Sequence, residues 1–290
     1  MSDTKSSSSN TSSQIVFDIM RELCKTDRPL GVAEIHRIIE EPTSSTHRAL
    51  MTLEEAGLAA RFGRQIKFGP GPMVQNLVRA MIARFNIRRQ GIHLLNDIAK
   101  LTEAPATLNA RLGWYSIRVG WVEGRHELYD QRRIGQARLL HEMVAPITML
   151  STCSDAEIGE YRNFIREAHP DQVEAANDPE VDKMISLGRR RGFLVKIDPR
   201  SESGRWVSFP LVGPGGSACG AVTLAMDSDK IPRKGERSDL TDQLTELVKR
   251  FQEHLDNNPD ETETPYDYMP RNEIRMTLSR ESPDNIPAAS

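Results

Sequence analysis

VAEIHRIIEEPTSSTHRALMTLEEAGL, residues 32–58, holds two short helix-like segments with only Glu41 and Pro42 between them. Val32, Ile35 and Ile39 recur at helical spacing in the first. Thr46, Leu50 and Leu53 do so in the second, and Gly57 supplies its stop. Two short helices joined by a tight turn make a helix-turn-helix unit, whose second helix points its N-terminal residues at the major groove of DNA. Pro42 is followed by four hydroxyl residues, where one would cap a helix. With Thr46 turned inward, Ser44, Ser45, His47, Arg48 and Thr52 face outward. Short hydroxyls and free N-terminal amides suit phosphate oxygens because they let two backbones come close. His47 and Arg48 can reach a base edge or the next phosphate. Thr43, Ser44, Ser45, His47 and Arg48 are therefore candidate nucleic-acid contacts.

Working outward, residues 14–25 predict a preceding helix with Ile15, Ile19 and Leu23 inward, Val16 and Met20 beside them and Ser13 as cap. Residues 59–69, AARFGRQIKFG, alternate around Gly63-Arg64 as a two-stranded hairpin does. Arg61, Arg64 and Lys67 concentrate positive charge on that wing, suited to a DNA backbone or minor groove. Residues 14–70 thus predict a winged helix-turn-helix domain. FGPGP at 68–72 breaks the pattern. A linker helix follows within 71–89, with Met73, Leu77, Met81 and Phe85 on one stripe and Val74, Val78 and Ile82 beside it. That face is wide for a solitary helix. It predicts a homodimer or homotetramer that offers paired recognition helices to a palindromic double-stranded operator.

Residues 90–255 alternate predicted helices and strands, an α+β layout with an antiparallel sheet and flanking helices. ATLNARLG and SIRVGWVEG read as strands about a turn at Gly113 to Tyr115. DAEIGEYRNFIREA and DPEVDKMISLGRRRG read as helices, each opened by an Asp. FLVKID, RWVSFPLVG and ACGAVTLAMD read as strands, the last two joined by the turn PGGS. RSDLTDQLTELVKRFQEHL closes the domain as an amphipathic helix. Residues 1–13 are almost all Ser and Thr, and residues 256–290 are rich in Pro and acids. Both read as disordered ends.

The 290 residues carry a net charge of −3. Residues 256–290 hold eight acids against three arginines, a net of −5, which leaves the body at +2. Residues 14–70 hold eight basic and eight acidic residues, so binding to nucleic acid must come from a local patch. No apolar run is long enough to cross a bilayer and no export leader opens the chain, which predicts a soluble cytoplasmic protein. Cys24, Cys153 and Cys219 are far apart and give neither a disulfide framework nor a metal site. The histidines, His93, His126 and His169 among them, lack ligand spacing. No cofactor is implied.

EPTSSTHRALMTLEEAGL, FGPGPMVQNL, VGWVEGRHEL and GFLVKIDPRSESGRWVSFPLVGPGGSACGAVTLAM stand in the order and places of the matching blocks of the IclR family of bacterial transcription regulators. The chain resembles that family from about residue 14 to 255. The resemblance implies a winged helix followed by a GAF-like effector domain that binds a small organic molecule between its sheet and a loop. That loop falls on LHEMVAP with Met143, Val144 and Ala145, and the facing strand positions on Lys196, Trp206, Thr223 and Ala225. Small-acid sensors of the family have a Gly-Ala-type pair in the loop and more polar strands. The apolar loop here and Trp206 predict an acid larger than pyruvate with an apolar or aromatic body. Lys196 or Arg205 would hold its carboxylate. Strand alternation predicts that Arg205 and Trp206 cannot both point inward.

A ligand-responsive DNA-binding regulator of a catabolic gene cluster is the function these readings imply. A small-molecule-binding or hydrolytic protein that uses its winged helix only for assembly is the alternative. Cys153, His141 and Asp155 are residue types that a nucleophile set needs, but no spacing in the sequence fixes their geometry, and a free Cys is more often a small buried residue. GPGGSACG lacks the Gly-Lys-Ser/Thr ending of a phosphate loop and reads as a hairpin turn. Arg189–Arg191 read as a solvated helix end or a second anion contact.

Overall fold

The computed structural model describes residues 12–26, 28–124, 134–197, 204–213, 216–227, 238–263 and 271. These divide into two compact units at residues 80 and 81. His126, most of the VGWVEGRHEL block's second half and Pro214-Gly215 of the expected PGGS turn lie outside the described residues.

In the first unit, α1 (Ser12–Lys25) buries Ile15, Ile19 and Leu23, as their spacing requires. It begins one residue before Ser13, so Ser13 lies within the helix and does not cap it. The chain then gives β1 (Leu30–Gly31), α2 (Val32–Ile39) and α3 (Thr43–Glu55). α2 ends at Glu40, whose left-handed φ of 56° turns the chain toward Pro42. Thr46, Ala49, Leu50 and Leu53 form the buried stripe of α3. β2 (Ala59–Phe62) and β3 (Lys67–Pro70) make the wing, joined by four residues, 63–66, where the sequence suggested two. The two-stranded ribbon expected there is a three-stranded sheet of order β1-β3-β2. β1 is too short to show a strand pattern. It pairs Leu30 opposite Phe68, which joins both side chains to the ten-residue core shared with α1, α2 and α3.

One close approach locks the wing to α3. Gly57 follows α3 with φ 70°, and the Gly71 amide donates to the Leu58 carbonyl at 2.8 Å. A Cβ on Gly71 would stand 2.3 Å from the Gly57 carbonyl oxygen. α4 (Pro72–Ile82) follows. The helix expected over 73–85 stops at Ile82, because Phe85 turns inward and is buried. α5 (Ile87–Thr102) restarts the helix after this break.

The second unit is built on strands β4 (Ala106–Leu112), β5 (Tyr115–Val122), β6 (Ala137–Leu139), β7 (Leu194–Ile197), β8 (Gly204–Val212) and β9 (Ala218–Asp227). Among the described residues they form one antiparallel sheet of order β6-β5-β4-β9-β8-β7. β6 had no sequence signal of its own. The helices are α6 (Val144–Leu150), α7 (Asp155–Ala168), α8 (Val173–Ala176), α9 (Pro179–Arg191) and α10 (Asp239–Asn257). α7 is capped by Ser154, reciprocally bonded with Glu157, and not by Asp155. Asp178 caps α9 as expected.

The sheet is covered on both faces. Cβ atoms placed on Gly91 and Gly120 would meet Leu108, and one on Gly220 would meet Ile87, so α5 lies over the Leu108 face. Arg111, on the opposite face of β4, reaches the Cys153 sulfur just beyond α6. Arg205 and Trp206 point to opposite faces, as strand alternation requires, and because both faces are covered both are buried. The acidic segment is folded at its start. Arg89 pairs with the buried Glu261 at 2.8 Å, and Asn86 bonds the Asp260 carbonyl at 2.9 Å. The rest of residues 256–290, except Arg271, lies outside the described residues.

Gly71→Ala forces backbone against backbone and should destabilise the first unit by about 1–3 kcal/mol. Urea unfolding followed by far-UV circular dichroism measures this, and an unchanged midpoint would show that the two segments are not in such close contact.

Candidate DNA interface and effector site

α3 starts on Pro42 with no side-chain cap. The Thr46 hydroxyl turns back to the Pro42 carbonyl at 3.1 Å. Thr43 and Ser44 are exposed and Ser45 partly so, and the amides of this first turn lack intrahelical partners. His47 and Arg48 stand exposed one residue further on, and neither makes an ion pair among the described residues. The run of hydroxyls is therefore a surface and not a redundant cap. Thr52 bonds the Arg48 carbonyl at 3.2 Å.

The wing residues differ from one another. Arg61 bonds Glu54 of α3 through Nη2 at 2.8 Å and Nε at 3.0 Å, and its guanidinium lies 5.8 Å from the Phe68 ring centre. It ties the wing to α3 first. Arg64 sits exposed in the 63–66 turn, and Lys67 is exposed at the start of β3. Among the described residues Arg48, Arg64 and Lys67 are thus exposed cations of α3 and the wing without an ion pair.

In the second unit, α6 begins within the loop picked out by sequence. Met143 is exposed, whereas Val144 and Ala145 are buried. Cross-strand register places Lys196, Trp206 and Ala225 in one row, and Ser208, Thr223, Thr107 and Trp121 in the next. Asn109 and Arg111 continue along β4 on this same face. Thr223 and Ser208 share a 2.8 Å hydrogen bond, and Thr107 donates to the Thr223 carbonyl at 3.3 Å. Trp206, Thr223 and Ala225 are buried, but Lys196 is exposed on the edge strand. Sequence reasoning missed Thr107, Asn109, Arg111 and Ser208. The signal was present in ATLNARL, where polar residues alternate along a strand buried throughout.

The nucleophile set is not assembled. The Cys153 sulfur lies 3.3 Å from Arg111 Nη1, and burial pushes its thiol pKa up. Asp155 pairs with Arg189 at 2.8 Å. His141 Nδ1 is 2.6 Å from the Tyr161 hydroxyl, and burial lowers the imidazole to about 4. Among the described residues no group of three His, Cys, Asp or Glu could hold a metal, and no helix is long and apolar enough to cross a membrane.

Residues 12–61 match the family model of the IclR helix-turn-helix domain. Residues 12–61 are thus an IclR-type helix-turn-helix domain. No curated protein matches the chain. The Thermotoga maritima IclR structure shares 21% identity with it, at a TM-score of 0.62 over 84% of this chain and 97% of that one. An IclR family transcriptional regulator from Brucella abortus shares 20%, at 0.64 over 84% and 92%. An IclR homologue from Microbacterium hydrocarbonoxydans, complexed with 4-hydroxybenzoate, shares 12%, at 0.61 over 84% and 98%. The chain therefore has the fold of the IclR regulators in both units, with α3 as the second helix of the helix-turn-helix.

Arg48→Ala and Arg64→Ala should each weaken DNA binding on all sequences and lower the slope of log K against log salt by about one per contact per protomer. Fluorescence anisotropy over a salt series measures both, and parental slopes in both variants would refute the assignment.

His141 gives a pH prediction. Its ordinary value is 6.5 and its folded value about 4, so the unfolded chain binds the proton more readily between them. Stability present above pH 6.5 should fall as pH drops toward 4, by at most about 3 kcal/mol. Denaturant melts should show this dependence weakened in His141→Asn, and identical pH profiles would rule it out.

Proposed function

We propose that the chain is a transcription regulator whose first unit binds a palindromic DNA operator and whose second unit senses a small organic acid. The IclR domain's uncapped, hydroxyl-lined recognition helix, with Arg48 and Arg64 uncommitted beside it, carries this reading. Thr43, Ser44, Ser45 and His47 supply phosphate and base contacts, with Lys67 and part of Arg61 on the wing. The face lined by Val144, Ala145, Trp206, Thr223 and Ala225 takes the effector, with Met143 at its rim and Lys196 at the sheet edge. Its apolar walls favour an aromatic body over a two- or three-carbon acid. The 4-hydroxybenzoate held by one homologue of this fold supports that preference. Regulation of a catabolic gene cluster in the cytoplasm fits such a ligand. Cys153, His141 and Asp155 each hold a different partner, which favours the regulator reading over a hydrolytic one.

A gel shift with DNA flanking the chain's own gene, with and without aromatic acids, tests the proposal. Binding that an acid strengthens or releases supports it. No binding to that DNA at micromolar protein contradicts it.

α4 leaves Met73, Leu77 and Val78 exposed, Leu77 at 58%, and α1 leaves Phe17 at 68%. Such faces fit a homodimer or homotetramer. Light scattering should give at least a dimer for the parent, and Leu77→Glu should shift it toward monomer. A monomeric parent would contradict this.

A further inference from the structure

The α6-side face of the sheet buries more polar chemistry than the fold uses. Asn109 and Arg111 stand two positions apart on β4, roughly 7 Å along one face. Both are more than nine-tenths buried, with exposures of 7% and 6%. Arg111 donates through Nε to the Gly113 carbonyl at 3.0 Å and through Nη1 to the Cys153 sulfur at 3.3 Å. Its guanidinium lies 5.2 Å from the Trp114 ring centre. Its Nη2 is buried and makes no hydrogen bond among the described residues. Glu157 is near enough to act on Arg111 electrostatically, but its carboxylate is bonded by Ser154, Ser217 and Arg271. A buried guanidinium without a bonded carboxylate is costly, and an incoming anion removes the cost.

Asn109 and Trp121 contribute further unsatisfied buried atoms on this face. Asn109 Oδ1 has no donor and Trp121 Nε1 has no acceptor among the described residues. Trp121 stands opposite Thr107 in register, which puts it on the face of Asn109. An indole nitrogen only donates and an amide oxygen only accepts. A hydroxyl satisfies both at once, donating to Asn109 and accepting from Trp121.

We propose that Arg111, not Lys196, anchors the effector's carboxylate, and that Asn109 with Trp121 reads a hydroxyl at its far end. The ligand class is a hydroxylated aromatic acid. The inference rests on the regulator reading only in naming this ligand an effector.

Thermal shift and titration calorimetry on the full chain test it, with benzoate, the three monohydroxybenzoates and pyruvate as probes. A monohydroxybenzoate should bind the parent about tenfold more tightly than benzoate, and pyruvate should give no shift. Arg111→Met should abolish the response to every acid while the ligand-free melting temperature holds or rises, because an uncompensated buried charge is gone. Asn109→Ala should reduce hydroxybenzoate affinity to that of benzoate and leave benzoate unchanged. The proposal falls if no monohydroxybenzoate shifts the parent, if benzoate binds as tightly, or if Arg111→Met keeps the response. Should Arg111→Met melt well below the parent, Arg111→Lys decides. Lysine keeps the charge and loses the fork, so acid affinity should drop about tenfold, and parental affinity overturns the anchor. Gel shifts on the same proteins separate the two readings. DNA binding without any acid response removes this site alone, and acid binding without DNA binding removes the regulator alone.

Discussion

Strand β4 has no exposed face, and much of the second unit follows from that. Every residue from Ala106 to Leu112 is buried. On the side of α5, Ala106, Leu108 and Ala110 meet this condition with apolar surface. Gly91 and Gly120 let the helix and the neighbouring strand close in on Leu108. On the other side Thr107, Asn109 and Arg111 place polar groups where water does not reach. Thr107 finds a backbone carbonyl, and Thr223 and Ser208 satisfy one another. Asn109 and Arg111 keep atoms unsatisfied. A fold selected only for stability would replace such groups with apolar ones. Their presence on one face, with Arg111 against Cys153, makes this face the chemically specialised part of the unit.

The first unit obeys a different constraint, the backbone contact between Gly57 and Gly71. That contact sets where the wing leaves α3, and the Arg61–Glu54 pair reinforces it. With the wing fixed this way, Arg64 extends from the turn and α3 presents Arg48 from its own surface. The start of α3 on Pro42 matters equally. A capping side chain would satisfy amides of the first turn, and none does so.

Much of this was legible in sequence where one periodicity dominates. Ile15, Ile19 and Leu23, and Thr46, Leu50 and Leu53, mark single buried stripes, and the structure buries them all. β1 and β6 were not legible, because strands of two and three residues carry no period and exist only through pairing with β3 and β5. The break after Ile82 was hidden too, since Phe85 continues the helical stripe in sequence while in space it closes a core. In the second unit the longer strand segments were found and their residues alternate faces, but alternation did not separate buried from exposed positions. Such separation assumes one wet face, and this sheet has two dry ones. Lys196 therefore drew attention as the available cation, whereas Arg111, on an inner strand, is buried on the face shared with Trp206 and Thr223.

The neutral balance of residues 14–70 also resolves once partners are assigned. Arg21 pairs with Asp18, Lys25 with Glu22, Arg28 with Glu34 and Arg61 with Glu54, each within the unit. Arg37 turns to the Ala33 carbonyl. These pairs remove charge from the helix backs and from the base of the wing. They leave Arg48, Arg64 and Lys67 exposed on α3 and the wing. A domain with no net charge thereby carries a local cationic edge. Such an edge supplies modest nonspecific attraction, because few phosphates are neutralised. Under the regulator reading proposed above, discrimination between sequences would fall to the close contacts that the bare first turn of α3 allows and to His47.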